Sequence, residues 1–297
     1  MKSNTQIPEI LPVKNDLIFR MFFADERNKE HLINLLKAVL RIPEEEYDEI
    51  EIADPHLLPE YIDDKYSIID VKLYTKSKKI IHIEIQLQVT ASLKKRILFY
   101  TSKLITEQIG SGRNYNEIQN VISIIITDKT LIHDSKNYRH RFTFHDREAK
   151  IEFSDLIEIN TIELDKLPDA ADGSPLYDWA KFIDAQTEEE LSMLEERNPQ
   201  VKEAVVKLRR LSADEQARWE YETKEKIRMD KEMFESWARE KGLEEGRQEG
   251  RQKGRQEGAQ MEKFEIAKNL LREGDSIEKI SRMTGLTQKE VENLREQ

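Results

Sequence analysis

YSIIDVKLYTKSKKIIHIEIQLQ, residues 66 to 88, alternates apolar and polar side chains along two arms joined by a lysine-rich centre. In the first arm Ile69, Val71 and Leu73 are apolar, with Asp70 and Lys72 between them. In the second, Ile81, Ile83, Ile85 and Leu87 alternate with His82, Glu84, Gln86 and Gln88. A period of two marks strands with one face buried. A three-residue loop at Lys76-Ser77-Lys78 sets Thr75 opposite Lys79 and Asp70 opposite Glu84. That register places both apolar sets on one face, whereas a two-residue loop would set Ile69, Val71 and Leu73 against the polar residues.

Carboxylates facing each other across a strand pair lie about 5 Å apart at Cβ and repel by a few tenths of a kcal/mol or more. A divalent cation held by Asp70 and Glu84, with the Ile85 carbonyl, is the simplest relief, and hard oxygen ligands with waters left in place suit Mg²⁺. The alternative is a solvated sheet face whose acids are neutralised by Lys65, Lys72 or Lys79, because patterns this short recur in unrelated chains.

The rest of the chain gives this hairpin a setting. Its 297 residues allow a full core plus appendages. Charged residues make up 36% and mean hydropathy is -0.73, so part of the chain is expected as solvent-rich helix, chiefly in the second half. With no cysteine there are no disulfides and no thiolate metal sites. The N-terminal MKSNTQIPEILPVK has no apolar signal core and no apolar run approaches membrane-spanning length, so a cytoplasmic protein without membrane association is expected. The net charge of -11 argues against broad nucleic-acid affinity, although Lys94-Lys95-Arg96, Arg139-His140-Arg141 and Arg209-Arg210 are local basic clusters.

Helical spacing predicts helices at about 14 to 24, behind an Asn15 or Asp16 cap, and at 28 to 41. Glu49 to Ala53 is a short strand candidate, followed by a loop at DPHLLPEYIDDK. After the hairpin, Ala91 to Ile109 reads as a helix burying Leu93, Ile97, Leu104, Ile105 and either Tyr100 or Thr101. Its basic first turn opposes the helix dipole, a penalty that an anionic ligand would relieve. VISIIIT, 121 to 127, reads as a strand covered on both faces, with further strands at Tyr138 to Phe144 and Leu156 to Leu164.

The expected organisation is a mixed α/β domain over 1–168, a helical extension over 169–212, a charged helix over 213–260 and a helix-turn-helix-like tail over 261–297. In the third segment, Gly242, Gly246, Gly250, Gly254 and Gly258 recur every four residues. At roughly 1 kcal/mol each they weaken an isolated helix, favouring a flexible linker or a transient self-association segment, such as a homodimer through the glycine stripe. In the tail, Ile280, Ser281, Gly285, Leu286, Val291 and Leu294 have helix-turn-helix spacing, with Ser276 and Thr287 as caps. Glu290, Glu292 and Glu296 on the second helix leave a protein-packing hairpin as the alternative.

Five stretches in order, NDLIFRMFF (15 to 23), DKYSIIDVKLY (64 to 74), IHIEIQLQ (81 to 88), KRILFYTSKLITEQ (95 to 108) and GRNYNEIQNVISIII (112 to 126), resemble the Rpn recombination-promoting nucleases. These are also called PD-(D/E)XK nuclease family transposases. The resemblance covers about residues 10 to 165, and the glycine-repeat tail is usual in that family too. It implies a restriction-endonuclease-like PD-(D/E)XK core with a mixed central sheet flanked by helices. It also implies Mg²⁺-dependent DNA cleavage, with Mn²⁺ or Ca²⁺ as alternative ions, and a link to recombination or mobile elements.

By that resemblance Asp70 and Glu84 are the metal-binding acids, and Gln86 completes the catalytic set where the wider superfamily often has Lys. Asp16, in the ND motif, and Tyr100, one turn beyond Arg96, are accessory candidates, and Ile69 stands where the superfamily has Pro. An amide at Gln86 can orient water but supplies neither positive charge nor a base. Lys65, Lys94, Lys95 and Arg96 are the expected DNA contacts. The rival reading is a non-catalytic DNA-binding or assembly protein that uses the helical tail.

Overall fold

The computed structural model describes residues 9–53, 56–57, 67–68, 70–109 and 114–295. The residues divide into two compact units, Met1–Thr223 and Lys224–Gln297.

The first unit is built on the hairpin. β4 (Val71–Tyr74) and β5 (Ile80–Gln86) pair antiparallel with Val71 opposite Ile83 and Tyr74 opposite Ile80, the register that the alternation predicts. The turn is the expected three-residue loop. Lys78 adopts the left-handed conformation (φ 66°), as such loops require at their last position. Thr75 and Lys79 close it through a backbone hydrogen bond of 3.0 Å. Glu46 clamps the loop from outside, accepting from the Thr75 hydroxyl at 2.6 Å and the Ser77 hydroxyl at 2.7 Å and pairing with Lys79 at 3.0 Å.

Around the hairpin the sheet has the order β1-β4-β5-β6-β8-β7. β1 is Glu51–Ala53, β6 Val121–Thr127, β7 Arg139–His145 and β8 Glu152–Glu163. β5, β6 and β8 run parallel, and the other pairs are antiparallel. β2 (His56–Leu57), within the stretch expected as loop, and β3 (Ser67–Ile68), at the start of the stretch read as the hairpin, form a separate two-stranded pair.

The sheet is covered on both faces. On one lie α1 (Asp16–Phe23) and α2 (Lys29–Val39), together with α4 (Pro175–Asp184), α5 (Glu188–Arg197) and α6 (Pro199–Ala213). Their Phe19, Phe22, Trp179 and Phe182 bury against Ile81, Ile83, Ile85, Ile122, Ile124 and Ile126. The helical extension is therefore part of the main core. On the other face α3 (Leu93–Thr106) packs Leu93 and Ile97 on Ile125, and Leu104 on Ile80 and Val121. The alternative of a solvated face on β5 does not hold: His82 and Glu84 are buried beneath α3.

In the second part of the chain, α7 runs from Glu215 to Arg272 as a continuous helix through all five repeating glycines, longer than the charged helix expected over 213–260 and without the flexible linker that the glycines favoured. Side-chain pairs four residues apart, including Arg228–Glu232 at 2.8 Å and Gln248–Glu244 at 3.1 Å, offset part of the glycine cost. The second unit closes on α8 (Ile277–Thr284) and α9 (Gln288–Arg295), whose Ile280 and Val291 bury with Ala267 and with Leu286 of the turn between them. Gly285 makes the turn with φ 72°, which glycine adopts without strain.

Two outcomes test this architecture. Trp179→Ala, emptying a fully buried site, should cost about 3–5 kcal/mol in urea unfolding. An extension outside the core would lose far less. Burial acts to raise the Glu46 carboxyl, but its hydroxyl and lysine partners win and hold it at about 2. A depressed acid stabilises above its unfolded value of 4.5 and loses that stabilisation as pH falls toward 2. Glu46→Gln should therefore cost on the order of 2–3 kcal/mol at pH 7 and much less at pH 2.5, read as the difference between the two unfolding curves.

Candidate active site

The ladder between β4 and β5 stops at the Val71–Ile83 pair, and Asp70 lies one residue beyond it in a bend. Its Oδ2 accepts from the Ile85 amide at 2.7 Å, so the carboxylate is turned onto the C-terminal end of β5 instead of standing in a regular pair with Glu84. Burial raises the Asp70 carboxyl to about 7. The Ile85 amide opposes the rise, the negative charges of Glu84 and Asp16 add to it, and Arg20 opposes it. Asp16 reaches this neighbourhood because Asn15 caps α1, its side chain accepting from the Leu17 amide at 3.0 Å, which sets Asp16 in the first turn.

Glu84 is 7% exposed and both its oxygens face protein. Oε1 accepts from Gln86 Nε2 at 2.5 Å and from Arg96 Nη2 at 3.1 Å. Arg96, in the first turn of α3, also donates to Gln86 Oε1. One guanidinium thus spans the acid and the amide of the Glu-x-Gln pair, a cation held where two carboxylates repel. Glu84 Oε2 is buried with no hydrogen-bond partner, and the nearest cationisable atom is His82 Nε2 at 3.5 Å.

Not every expected residue joins this group. Tyr100 packs its ring with Ile80, Leu104 and Val121, toward the start of β5. Its neighbour Thr101 also faces the sheet and is the more deeply buried of the two, beside Ser123. Lys94 and Lys95 are exposed beside Arg96, and Lys65 lies outside the described residues. Of the other basic clusters, Arg141 pairs with Glu158, Arg139 donates to the Val39 carbonyl, and Arg209 is held by Glu188 and Glu195.

Two features escaped the sequence reading. Lys14, next to the Asn-Asp pair, bridges Asp128 at 2.8 Å and Asp184 at 3.0 Å. Burial works against its charge, yet the two carboxylates raise its pKa. Since the Asp128 amide donates to the Gln86 carbonyl at 3.0 Å, Lys14 ties the start of α1 and the end of α4 to the strand bearing Glu84. The second feature is His82 with its buried partners. The signal for the first was a lysine abutting the ND motif; for the second, a histidine two residues before the acid on one face of a strand.

The model of the PD-(D/E)XK nuclease family transposases matches residues 13–237. The chain belongs to that family. Residues 260–296 match the C-terminal helix-turn-helix domain of the Rpn/YhgA-like nuclease family. No curated protein and no solved structure matches the chain. The mixed six-stranded sheet with flanking helices is a PD-(D/E)XK-like core, followed by long C-terminal helices. Among the described residues no helix is long and apolar enough to cross a membrane.

Nucleases of this type commonly use a divalent metal, and the residues here fit one. Asp70 and Glu84 are acids crowded by like charge, and Glu84 Oε2 is an acceptor without a donor. Among the described residues no three His, Cys, Asp or Glu side chains form a closed metal cage. Two carboxylates with open positions suit a hard cation that keeps several waters.

The raised Asp70 predicts a pH slope. Over the interval from 3.8 to about 7 the folded protein holds a proton that the unfolded chain has released, so this group's stabilisation is complete below 3.8 and lost as pH rises through 7. In chelator, Asp70→Asn should raise the melting temperature at pH 8 by several degrees and leave it near the parent's at pH 4. Equal shifts at both pH values would contradict the assignment.

Proposed function

We propose that this chain is a divalent-metal-dependent DNA endonuclease that hydrolyses phosphodiester bonds. The observation that carries the reading is the meeting of Asp70, Glu84, Gln86 and Arg96 at one end of β5, under repulsion between acids, in the family's matched region.

Asp70 and Glu84 would hold the cation. When bound, a divalent cation supplies a water acidified toward neutral pH and neutralises charge on the scissile phosphate. The chain's own groups do the rest. Gln86, an amide both donating and accepting, orients the attacking water. Arg96, which spans Glu84 and Gln86 and is partly exposed, presents a planar fork suited to a phosphate oxygen. Lys94 and Lys95, on the same exposed helical turn, steer the DNA backbone, with Lys65 as a further phosphate contact.

The helix-turn-helix gives a second contact with DNA. Glu290, one of the acids that argued against it, folds back to accept from the Thr287 amide and hydroxyl at 2.7 Å. It serves as the helix cap, leaving Gln288 and Lys289 to lead α9. Exposed Ile227, Met233, Phe234 and Trp237 on α7 support self-association along that helix. A dimer would place two sites on one duplex, the simplest arrangement for cutting both strands.

Supercoiled-plasmid cleavage tests the reading. The parent should nick or linearise DNA with Mg²⁺ and not with EDTA. Asp70→Ala and Glu84→Ala should each lower the rate by ~10²-fold or more while the chain stays folded. Parent-like cutting by either variant would displace the site. Folded protein inert with Mg²⁺, Mn²⁺ and Ca²⁺, yet binding DNA only while residues 261–297 are present, would favour the non-catalytic reading.

A further inference from the structure

We propose that Phe99, with Leu98 beside it, is a stacking platform for an unpaired base next to the scissile phosphate, so that the substrate of this site is DNA with single-stranded nucleotides at the point of cleavage. The inference rests on the reading of the Asp70 and Glu84 site as a DNA endonuclease centre.

The face of α3 turned away from the sheet carries the argument. Leu93, Ile97 and Leu104 are buried beneath the helix, whereas Leu98 is 52% exposed and Phe99 62% exposed. Phe99 meets the Tyr100 ring at 5.5 Å and 68°, an edge contact that steadies it and leaves most of it in solvent. The helix is also one-signed. Lys94, Lys95, Arg96 and Lys103 are basic and none of its 14 residues is acidic, in a chain whose net charge is -11. Arg96 is held by Glu84, but among the described residues Lys94, Lys95 and Lys103 pair with no acid.

These features coincide at Phe99. On a helix surface the neighbours of a side chain lie three and four residues away, and those of Phe99 are Lys95, Arg96, Ser102 and Lys103. An exposed ring set among three cations has the composition that holds single strands, in which bases stack on aromatic faces while the flanking phosphates meet positive charge. A second copy of the chain would cover the apolar side chains but would have to bring several acids around one ring. A nucleotide supplies the flat apolar face and the anion in one unit.

The location selects the strand. Arg96, three residues before Phe99, donates to Glu84 and Gln86. Phe99 is about 4.5 Å further along the helix axis, comparable with the step of about 3.4 Å between nucleotides of a stacked strand. A strand whose scissile phosphate lies at Glu84 and Gln86 therefore carries its adjacent nucleotide over Phe99. Within a duplex both faces of that base are covered by its neighbours, so the ring finds a free face only where the base is unpaired and unstacked.

Fluorescence anisotropy with the full chain in EDTA tests this apart from cleavage, using a labelled oligothymidylate of about 20 nucleotides and a duplex of the same length, with circular dichroism to verify folding. Phe99→Ala should weaken single-strand binding about fivefold or more and change duplex binding by less than about twofold. Phe99→Trp should bind the single strand as tightly as the parent or more so, and Phe99→Leu, apolar but without a ring face, should behave like Phe99→Ala. Lys95→Gln should lower the salt slope of log Kd for the single strand by about 0.7, the loss of one phosphate contact. Equal losses on single strand and duplex in Phe99→Ala would overturn the platform. So would parent-like single-strand affinity in Phe99→Ala, and a dimer turned to monomer by that variant in sedimentation would then make a second copy the occupant. Neither result touches the nuclease reading, because plasmid cleavage that needs Mg²⁺ and Glu84 stands whether or not Phe99 holds a base.

Discussion

The register between β4 and β5 is the constraint on which the rest depends. Slipping it by one residue would turn Ile81, Ile83 and Ile85 out of the core packed by α1, α2 and α4. At about 1.5–3 kcal/mol for each buried side chain, that loss approaches the whole stability of a domain. Repulsion between Asp70 and Glu84 is roughly an order of magnitude smaller. Burial therefore decides, and the acids are forced into proximity by the apolar side chains alternating with them. The left-handed turn at Lys78 and the Glu46 clamp hold the same register from the other end of the hairpin.

Once those acids are fixed, positive charge gathers around them at two levels. Arg96 spans Glu84 and Gln86 from the start of α3, while Lys14 acts one step back, binding Asp128 and Asp184 where β6 and α4 end. Arg96 is 40% exposed and can exchange partners, whereas Lys14 is only 17% exposed and sits between two carboxylates. One cation is suited to changing place during a reaction, and the other to keeping the frame still.

The hairpin, its register, the doubly covered β6 and the tail's helix pair were legible because each rests on a local pattern: period two, an unbroken apolar run, caps and a turn glycine. What lay beneath α3 was not. A His and a Glu alternating with isoleucines look the same in sequence whether water or a helix covers them, and α3 covers them here. Tyr100 and Thr101 differ by 100° around a helix, a distinction that an apolar stripe of that width does not resolve. Lys14 meets acids 114 and 170 residues away, pairings that no local window contains. Glycine propensity argued for a linker at 242–258, where charge pairing and the continuity of a 58-residue helix carry the chain through.

The first unit is also tied at its ends. The Leu11 amide donates to the Ser212 hydroxyl at 3.0 Å, and Arg218 donates to the Glu9 carbonyl at 2.6 Å, contacts separated by 201 and 209 residues. Such closures are slow to form, because the intervening chain must be ordered before they are rewarded. During synthesis, β5 and its acids leave the ribosome long before α4, α6 and Ser212 do. The strand that bears Glu84 gains its full packing only when about three-quarters of the protein has been made, so the nascent chain carries these acids without the frame that aligns them.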